Sequence, residues 1–278
     1  MRSTGSNVAE APRYSEAAAT FVRCFLAIFE SGRDRRHIRP GGQATQSSFI
    51  VSSAEIPFPS TKPLASRALS ALELLFGAFF VIGHNVFHIV PNEVIVLCVL
   101  GLLSVRLRDG GWSAMGFTRP VSWRRIFLIA LAAAGVRILL GQFVIEPVTG
   151  FFWPAPSGPA LANEIAGNVK LALLALLLVW TFAAFGEEIA YRGYLLTRAA
   201  DIGRRSKIAY WLGIVFVSIL FGYGHYYKGP SGIVDSGTAG LVLGAAYMLA
   251  DQNLWACILT HGFIDTFAVI DAFFAWSK

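Results

Sequence analysis

Two adjacent carboxylates are the residues in this sequence most suited to chemistry. Glu187 and Glu188 follow a long apolar run, and Arg192 comes four residues after Glu188. On a helix, residues four apart face each other, so Glu188 can pair with Arg192 while Glu187 points about 100° away. A charge within a membrane helix costs several kcal/mol, and this pairing offsets only one carboxylate. Glu187 is therefore a candidate general base, and the alternative interpretation is a salt bridge at a helix end.

Two further polar motifs lie in the apolar runs that follow. The motif Phe221-Gly-Tyr-Gly-His225 ends the next run, and His261-Gly-Phe-Ile-Asp265 lies within the last one. The spacing of four places His261 and Asp265 on one helix face. A single histidine in a membrane helix can equally serve only to hydrogen-bond a neighbouring helix. The three motifs together are more specific than any one of them.

Other polar residues in the apolar runs are interpreted as structural. Arg137 lies in the middle of a run and needs a partner, for which Glu73 is one candidate. His84 and His88 are four apart and could bind a metal, although two histidines at the membrane interface are the preferred interpretation. Three aspartates near run ends are expected to be solvated: Asp235, Asp251 and Asp271.

Composition places these motifs in a membrane. The chain has 278 residues, of which 55% are hydrophobic and 14% charged, whereas soluble domains carry about 25% charged residues. This excludes a typical soluble enzyme and a disordered chain. The net charge of +6 fits basic cytoplasmic loops, and no basic stretch is interleaved with aromatics as nucleic-acid binding would require. The three cysteines, Cys24, Cys98 and Cys257, are odd in number and widely spaced, which indicates buried apolar residues rather than disulfides or a metal site.

The elements that position the motifs follow from hydropathy. Residues 1–66 are rich in Ser, Gly, Pro, Ala and Arg and are predicted to form a polar, flexible, cytoplasmic region. Residues 67–278 are predicted to form a transmembrane helical domain, with the chemistry at 168–270. Its apolar runs lie near 68–83, 93–105, 126–145, 168–197, 208–224, 236–250 and 254–276. We expect an all-α polytopic transmembrane bundle of about seven membrane helices, because open strands cannot satisfy their backbone in lipid.

Loop charges predict the orientation of the bundle. The segments 106–125 and 198–207 are basic, whereas 146–169 contains no Lys or Arg. Basic loops usually remain cytoplasmic. An integral membrane protein is therefore predicted, with 146–169 outside and the N-terminus inside.

The ordered motifs resemble those of one family. Glu187-Glu188-x-x-x-Arg192, Phe221-x-x-x-His225 and His261-x-x-x-Asp265 are similar to the motifs of the CPBP family. That family comprises CAAX prenyl endopeptidases and bacteriocin-processing or immunity (ABI) proteins. The resemblance covers roughly 168–270, and it implies that the membrane is a bacterial cytoplasmic membrane.

The resemblance implies an intramembrane glutamic endopeptidase without a cofactor. Glu187 would activate water, aided by His225, while His261 and the residue at position 265 would polarise the carbonyl and hold the oxyanion. Glu188 and Arg192 would be a supporting pair. These are the groups that amide hydrolysis needs. The implied partners are the lipid bilayer and a peptide or membrane-protein substrate, with or without a prenyl group.

One departure leaves alternatives open. The better-studied CAAX enzymes have Asn at the last position, where this sequence has Asp265. An ionised Asp cannot donate to an oxyanion, so it would orient His261 or donate only when protonated. Glu187, His225 and His261 also resemble a two-His, one-carboxylate zinc site, although the His-Glu-x-x-His motif of zinc proteases is missing.

Alternatives from other classes are a non-catalytic scaffold or immunity protein and a proton-coupled transporter. A transporter would be expected to show internal repeats, and none is evident in the sequence.

Overall fold

The computed structural model describes residues 64–154 and 161–276, and every regular element in these ranges is helical. The predicted N-terminal region lies outside the described residues except for its last three, and Cys24 lies outside with it. The main helices are α1 (Leu64–Asn85), α2 (Glu93–Arg108), α3 (Trp123–Phe152), α4 (Leu161–Ile165), α5 (Val169–Ile202), α6 (Lys207–Tyr223), α7 (Gly229–Leu249) and α8 (Leu254–Phe274).

The predicted transmembrane helical bundle is confirmed. In the described part of the chain, five helices are long and apolar enough to cross a bilayer: α1, α3, α5, α7 and α8. Helix α6 is apolar but has only 17 residues, and α2 has 16. Each of the seven predicted apolar runs overlaps one of these seven helices, while the number that span the membrane stays a prediction.

Helix starts follow an ordinary local rule. A side-chain oxygen accepts a hydrogen bond from a backbone N–H two or three residues further on, which satisfies a donor that the first turn leaves free. The capping residues are Asn92, Ser122, Asn168, Ser206 and Asn253. The ends of the helices that carry the candidate site are thus encoded locally.

Helix α5 changes character along its length. Leu173 and Leu177 in its first half are mostly exposed, as expected for side chains that face lipid. All seven residues of Ile189–Leu195 are buried. The second half of α5 therefore lies at the centre of the bundle, against α2, α6 and α8.

The central part of α5 is π-helical rather than α-helical. Two π-helical stretches, Val179–Glu187 and Ile189–Leu195, meet at Glu188. Such widened turns are rare and are frequently found at functional sites. The sequence predicts an ordinary helix here, because hydropathy does not distinguish the two geometries.

A group of charged residues is buried where α5 ends. Arg198 belongs to the segment 198–207, which was predicted to be a basic cytoplasmic loop, but its side chain is fully buried. It contacts the carboxylates of Glu73, Asp109 and Asp201 at 2.7–3.0 Å. Arg108 also pairs with Glu73, and Arg205 pairs with both aspartates. This Arg198 cluster ties α1, α2, the following loop and α5 together.

The partner suggested for Arg137 was wrong. Arg137 in α3 forms its ion pair with Asp235 in α7, whereas Glu73 belongs to the Arg198 cluster. Asp235 is therefore paired, although it was expected to be simply solvated. Asp251, in contrast, is 76% exposed in its side chain and pairs with Arg125 at the surface.

Candidate active site

Close packing of α8 on α5 brings the motifs together. A Cβ atom added at Gly262 would lie only about 2.5 Å from the ring of Trp180, so the helices approach each other where His261 projects. The Trp180 indole N–H donates to the Thr266 hydroxyl at 3.1 Å. This contact fixes the register of α8 against α5.

Glu188 is the centre of the polar site, and its side chain is fully buried. The Arg192 guanidinium donates to Glu188 Oε1 at 2.8 Å, as the spacing of four residues predicts. His261 Nδ1 lies 2.7 Å from the same oxygen. Because an ionised carboxylate only accepts, His261 must carry a proton on Nδ1. The sequence did not predict this second contact of Glu188, with His261.

Arg192 links α5 to two further helices. Its guanidinium donates to the Gly240 carbonyl of α7 at 3.2 Å and lies 4.5 Å from the ring centroid of Phe221 in α6. The Gly240 position admits no larger residue without displacement, because an added Cβ would lie 2.9 Å from Ser218. Arg192 thus packs where α5, α6 and α7 meet.

Glu187 and Glu188 each bury an Oε2 atom that has no hydrogen bond, and they differ in that Oε1 of Glu188 accepts from Arg192 and His261. The charges of His261 and Asp265 on α8 lie within electrostatic range of Glu187. A buried unpaired oxygen requires an explanation, such as a water molecule or a catalytic role. A carboxylate in this position can accept a proton from water.

His225 lies at the C-terminal end of α6. Its Nδ1 is 3.0 Å from the Phe221 carbonyl, and since a carbonyl only accepts, Nδ1 carries the proton. In the neutral ring Nε2 is therefore an acceptor. The Phe221 ring lies 5.0 Å from the His225 ring and 6.0 Å from that of His261, so one aromatic ring contacts both imidazoles.

Asp265 lies near the second nitrogen of His261. Its Oδ2 is 3.5 Å from His261 Nε2, longer than an ordinary hydrogen bond, and its side chain is 31% exposed. His261 thus has a carboxylate on each side, Glu188 at Nδ1 and Asp265 at Nε2. A ring that carries a proton on both nitrogens has one N–H towards each of these carboxylates.

The structure brings all six predicted site residues into one region. A continuous series of contacts runs from Arg192 through Glu188 and His261 to Asp265. His225 lies within electrostatic range of His261 and Asp265. The sequence interpretation missed Glu93 and Tyr191, which adjoin the site. The sequence feature that could have drawn attention to Glu93 is its place at the edge of an apolar run, directly after Asn92, which caps α2.

Metal ligation was the other interpretation of these residues. Within residues 64–154 and 161–276, no three His, Cys, Asp or Glu side chains are grouped as a metal site. His84, one of the two histidines considered as ligands, instead faces Glu93 at 3.6 Å. Cys98 and Cys257 are free and buried. Activity measured after treatment with a chelator tests whether the protein needs a metal ion.

Comparison with known families agrees with this placement. Residues 169–267 match the family model described as type II CAAX prenyl endopeptidase Rce1-like. The matched segment runs from the start of α5 into α8 and contains all three motifs. Among curated proteins and among solved structures, no match is found.

Proposed function

We propose that this chain, which carries an Rce1-like domain at residues 169–267, is an intramembrane endopeptidase that uses a glutamate-activated water. The observation that carries the proposal is the contrast between the two adjacent glutamates. Oε1 of Glu188 is bound to Arg192 and His261, whereas no such pair holds Glu187 within the described part of the chain, and its buried Oε2 lacks a hydrogen bond as Oε2 of Glu188 does. A residue that only stabilised the bundle would be expected to be paired.

In the first chemical step, a water molecule is bound by Oε2 of Glu187. Glu187 takes a proton from the water while the water oxygen attacks the scissile carbonyl carbon. The unprotonated Nε2 of His225 accepts a hydrogen bond from the same water and helps to orient it. The product of this step is a tetrahedral intermediate with a negatively charged oxygen.

The second step depends on His261. The Nδ1–H of the imidazolium stays on Glu188, while its Nε2–H, which lies 3.5 Å from Asp265, donates to the developing oxyanion. A donor of this kind is typically worth about 10²–10³-fold in kcat. Asp265 stays ionised and orients the ring, which accounts for a carboxylate where the CAAX enzymes have an amide. The carbon–nitrogen bond then breaks, and Glu187 returns its proton to the leaving amine.

The test is cleavage of a quenched-fluorescence peptide by the purified protein in detergent, with prenylated and unprenylated versions of the peptide. We expect wild type to cleave at least one version and Glu187→Gln to cleave neither. Glu164→Gln, which changes an exposed glutamate, is the matched control and should retain activity. Equal measurable rates for wild type and Glu187→Gln would overturn Glu187 as the base, and absence of cleavage by wild type would support a scaffold or immunity protein instead.

A chelation arm separates this mechanism from a zinc protease that uses the same residues. Activity should persist after exhaustive treatment with a chelator, since the proposed base needs no metal. Loss of activity that added zinc restores would make Glu187, His225 and His261 ligands and would overturn the mechanism.

A further inference from the structure

The short segment that joins α6 to α7 connects His225 of the candidate active site to a lysine, Lys228. The Lys228 backbone N–H donates to the His225 carbonyl at 2.9 Å, and Tyr226–Lys228 forms one 3₁₀ turn. A Cβ atom added at Gly232 would lie 2.2 Å from Lys228 Cβ and 3.2 Å from the His225 carbonyl oxygen. The first turn of α7 therefore packs against both residues and fixes the position of Lys228 relative to His225.

The Tyr227 ring contacts both side chains of interest. It stacks on the His225 ring, with centroids 6.0 Å apart and planes at 30°, and Lys228 Nζ lies 5.6 Å from the Tyr227 centroid. A cation at this distance is attracted by the face of the ring. Taken end to end, the two distances place the ammonium group at most about 12 Å from the centre of the imidazole. An extended peptide covers that distance in about three or four residues.

A peptide can reach the catalytic groups and Lys228 together because all of them are accessible. The Asp265 side chain is 31% exposed, and Glu187 and His225 are half-buried. Lys228 is exposed, as is the Tyr227 ring beside it. A substrate bound at Glu187 therefore has an exposed ammonium group within a few residues of its scissile bond.

The charges of the site leave Lys228 available to a ligand. Within the described part of the chain, no carboxylate forms an ion pair with Lys228, whereas Arg192 is buried against Glu188. Glu187, Glu188 and Asp265 would repel an acidic group on a substrate. Such a group can approach the site only where a cation compensates for this repulsion, and Lys228 supplies that cation.

We propose, on the basis of the proposed function, that Lys228 is a specificity-determining residue that binds a carboxylate of the substrate, no more than about four residues from the scissile bond. An ammonium group binds a carboxylate as a point charge, so its source can be the C-terminus of the peptide or an acidic side chain. Lys228 does not take part in breaking the bond.

The experiment measures kcat and KM for three peptides that differ only in charge near the scissile bond. Fluorophore and quencher are attached to side chains, so that the C-terminus is free to vary. The first peptide ends in a free carboxylate about three residues after the scissile bond, the second is its C-terminal amide, and the third is an amide whose last residue is Asp. For wild type we expect a KM about tenfold lower for the free acid than for the amide, with similar kcat.

The Asp peptide identifies the source of the carboxylate. A low KM for this peptide shows that an acidic side chain is accepted, whereas a KM equal to that of the plain amide shows that Lys228 binds the C-terminus.

Variants of Lys228 test whether this residue is responsible for the preference. Lys228→Ala should raise the KM of the free acid to that of the amide, and Lys228→Arg should keep the preference. Lys228→Glu should reverse it, because the new charge repels the free acid. Lys170→Ala, which removes another exposed lysine, is the matched control and should keep the full preference. Added salt should weaken the preference of wild type.

Two results would overturn the assignment of Lys228. One is a wild type that does not distinguish the three peptides. The other is a Lys228→Ala protein that cleaves the free acid and the amide with equally reduced efficiency, or melts at a lower temperature, while the preference for the free acid persists. A lysine that only binds lipid phosphate or stabilises the turn would give this second result.

Failure of the proposed function can be recognised separately. If wild type cleaves none of the peptides, their binding to wild type and to Lys228→Ala is measured by fluorescence anisotropy in detergent. Tighter binding of a peptide with a carboxylate than of the plain amide, lost in Lys228→Ala, would support the assignment of Lys228 without the protease mechanism. Equal binding of all three peptides by wild type would overturn it.

Discussion

Glu187 and His225 are proposed to act on the same water, and this makes their removal non-additive. Each of Glu187→Gln and His225→Ala should lower kcat by roughly 10²–10⁴-fold, the usual contribution of general base catalysis. The double variant should be little slower than either single variant, because groups that act as a unit are lost together. Steady-state kinetics on the same peptide measures all three.

The melting temperatures of the two single variants and the double variant in detergent are the control for this comparison. All three variants should unfold close to wild type, since Glu187 Oε2 has no partner to lose and His225 is only partly buried. Multiplicative losses in the double variant would show instead that the two residues act in separate steps.

Arg192 is expected to be structural, because it neutralises a fully buried carboxylate. Arg192→Ala removes the guanidinium that pairs with the buried Glu188 carboxylate and should cost about 3–5 kcal/mol of unfolding free energy. The variant should therefore express poorly rather than fold and be inactive. Thermal unfolding of the purified protein measures the loss.

The exposed arginine Arg125 provides the matched comparison. It pairs with Asp251, and both side chains are more than half exposed, so Arg125→Ala should cost at most about 1 kcal/mol. An Arg192→Ala protein with normal melting and no activity would place Arg192 on the substrate instead.

Ion pairs could be predicted from the sequence where both partners lie on one helix. The Glu188–Arg192 ion pair was predicted correctly from a spacing of four. The contact between Glu188 and His261 was not predicted, because it joins residues 73 positions apart and depends on how α8 packs. The same reason explains the wrong partner proposed for Arg137, whose carboxylate comes from α7.

At the scale of the helix, the close approach of α8 to α5 should be sensitive to a single methyl group. Gly262→Ala places a Cβ about 2.5 Å from the Trp180 ring, so one helix must move. We expect a loss of about 1–3 kcal/mol in stability, typical of overpacking, together with a fall in kcat as His261 is displaced. Thermal unfolding and peptide cleavage measure the two effects.

Gly135→Ala is the control for helix propensity. No atom lies within 4 Å of a Cβ added there, so this change should be neutral or stabilising, by up to about 1 kcal/mol. Unchanged melting and activity in Gly262→Ala would contradict the packing described for α5 and α8.

The helices themselves could be predicted because hydropathy reports directly on burial in lipid. All seven apolar runs overlap helices, and the capping residues explain several of their starts. The π-helical part of α5 could not be predicted, since it depends on the packing of Ile189–Leu195 against three other helices. Hydropathy likewise missed the burial of Arg198, because it scores a charge without knowing its partners.

At the scale of the whole molecule, the orientation in the membrane remains a prediction that labelling can test. Single cysteines at Arg204 and Glu164, both exposed, are introduced into a variant that lacks the three native cysteines. A membrane-impermeant thiol reagent applied to intact cells should label Glu164→Cys, and Arg204→Cys only after lysis. Labelling of Arg204→Cys alone from outside would reverse the orientation.

The burial of Arg198 means that this residue has different surroundings during membrane insertion and in the folded protein. Two of the three carboxylates that pair with Arg198, those of Glu73 and Asp109, come from other segments and contact it only when the helices pack. Before that, Arg198 adds to the positive charge that retains the turn on one side of the membrane. Once folded, Arg198 is fully paired, whereas Arg204 remains at the surface. Replacing Arg204 should therefore impair only the choice of side, while replacing Arg198 should also shorten the lifetime of molecules that inserted correctly.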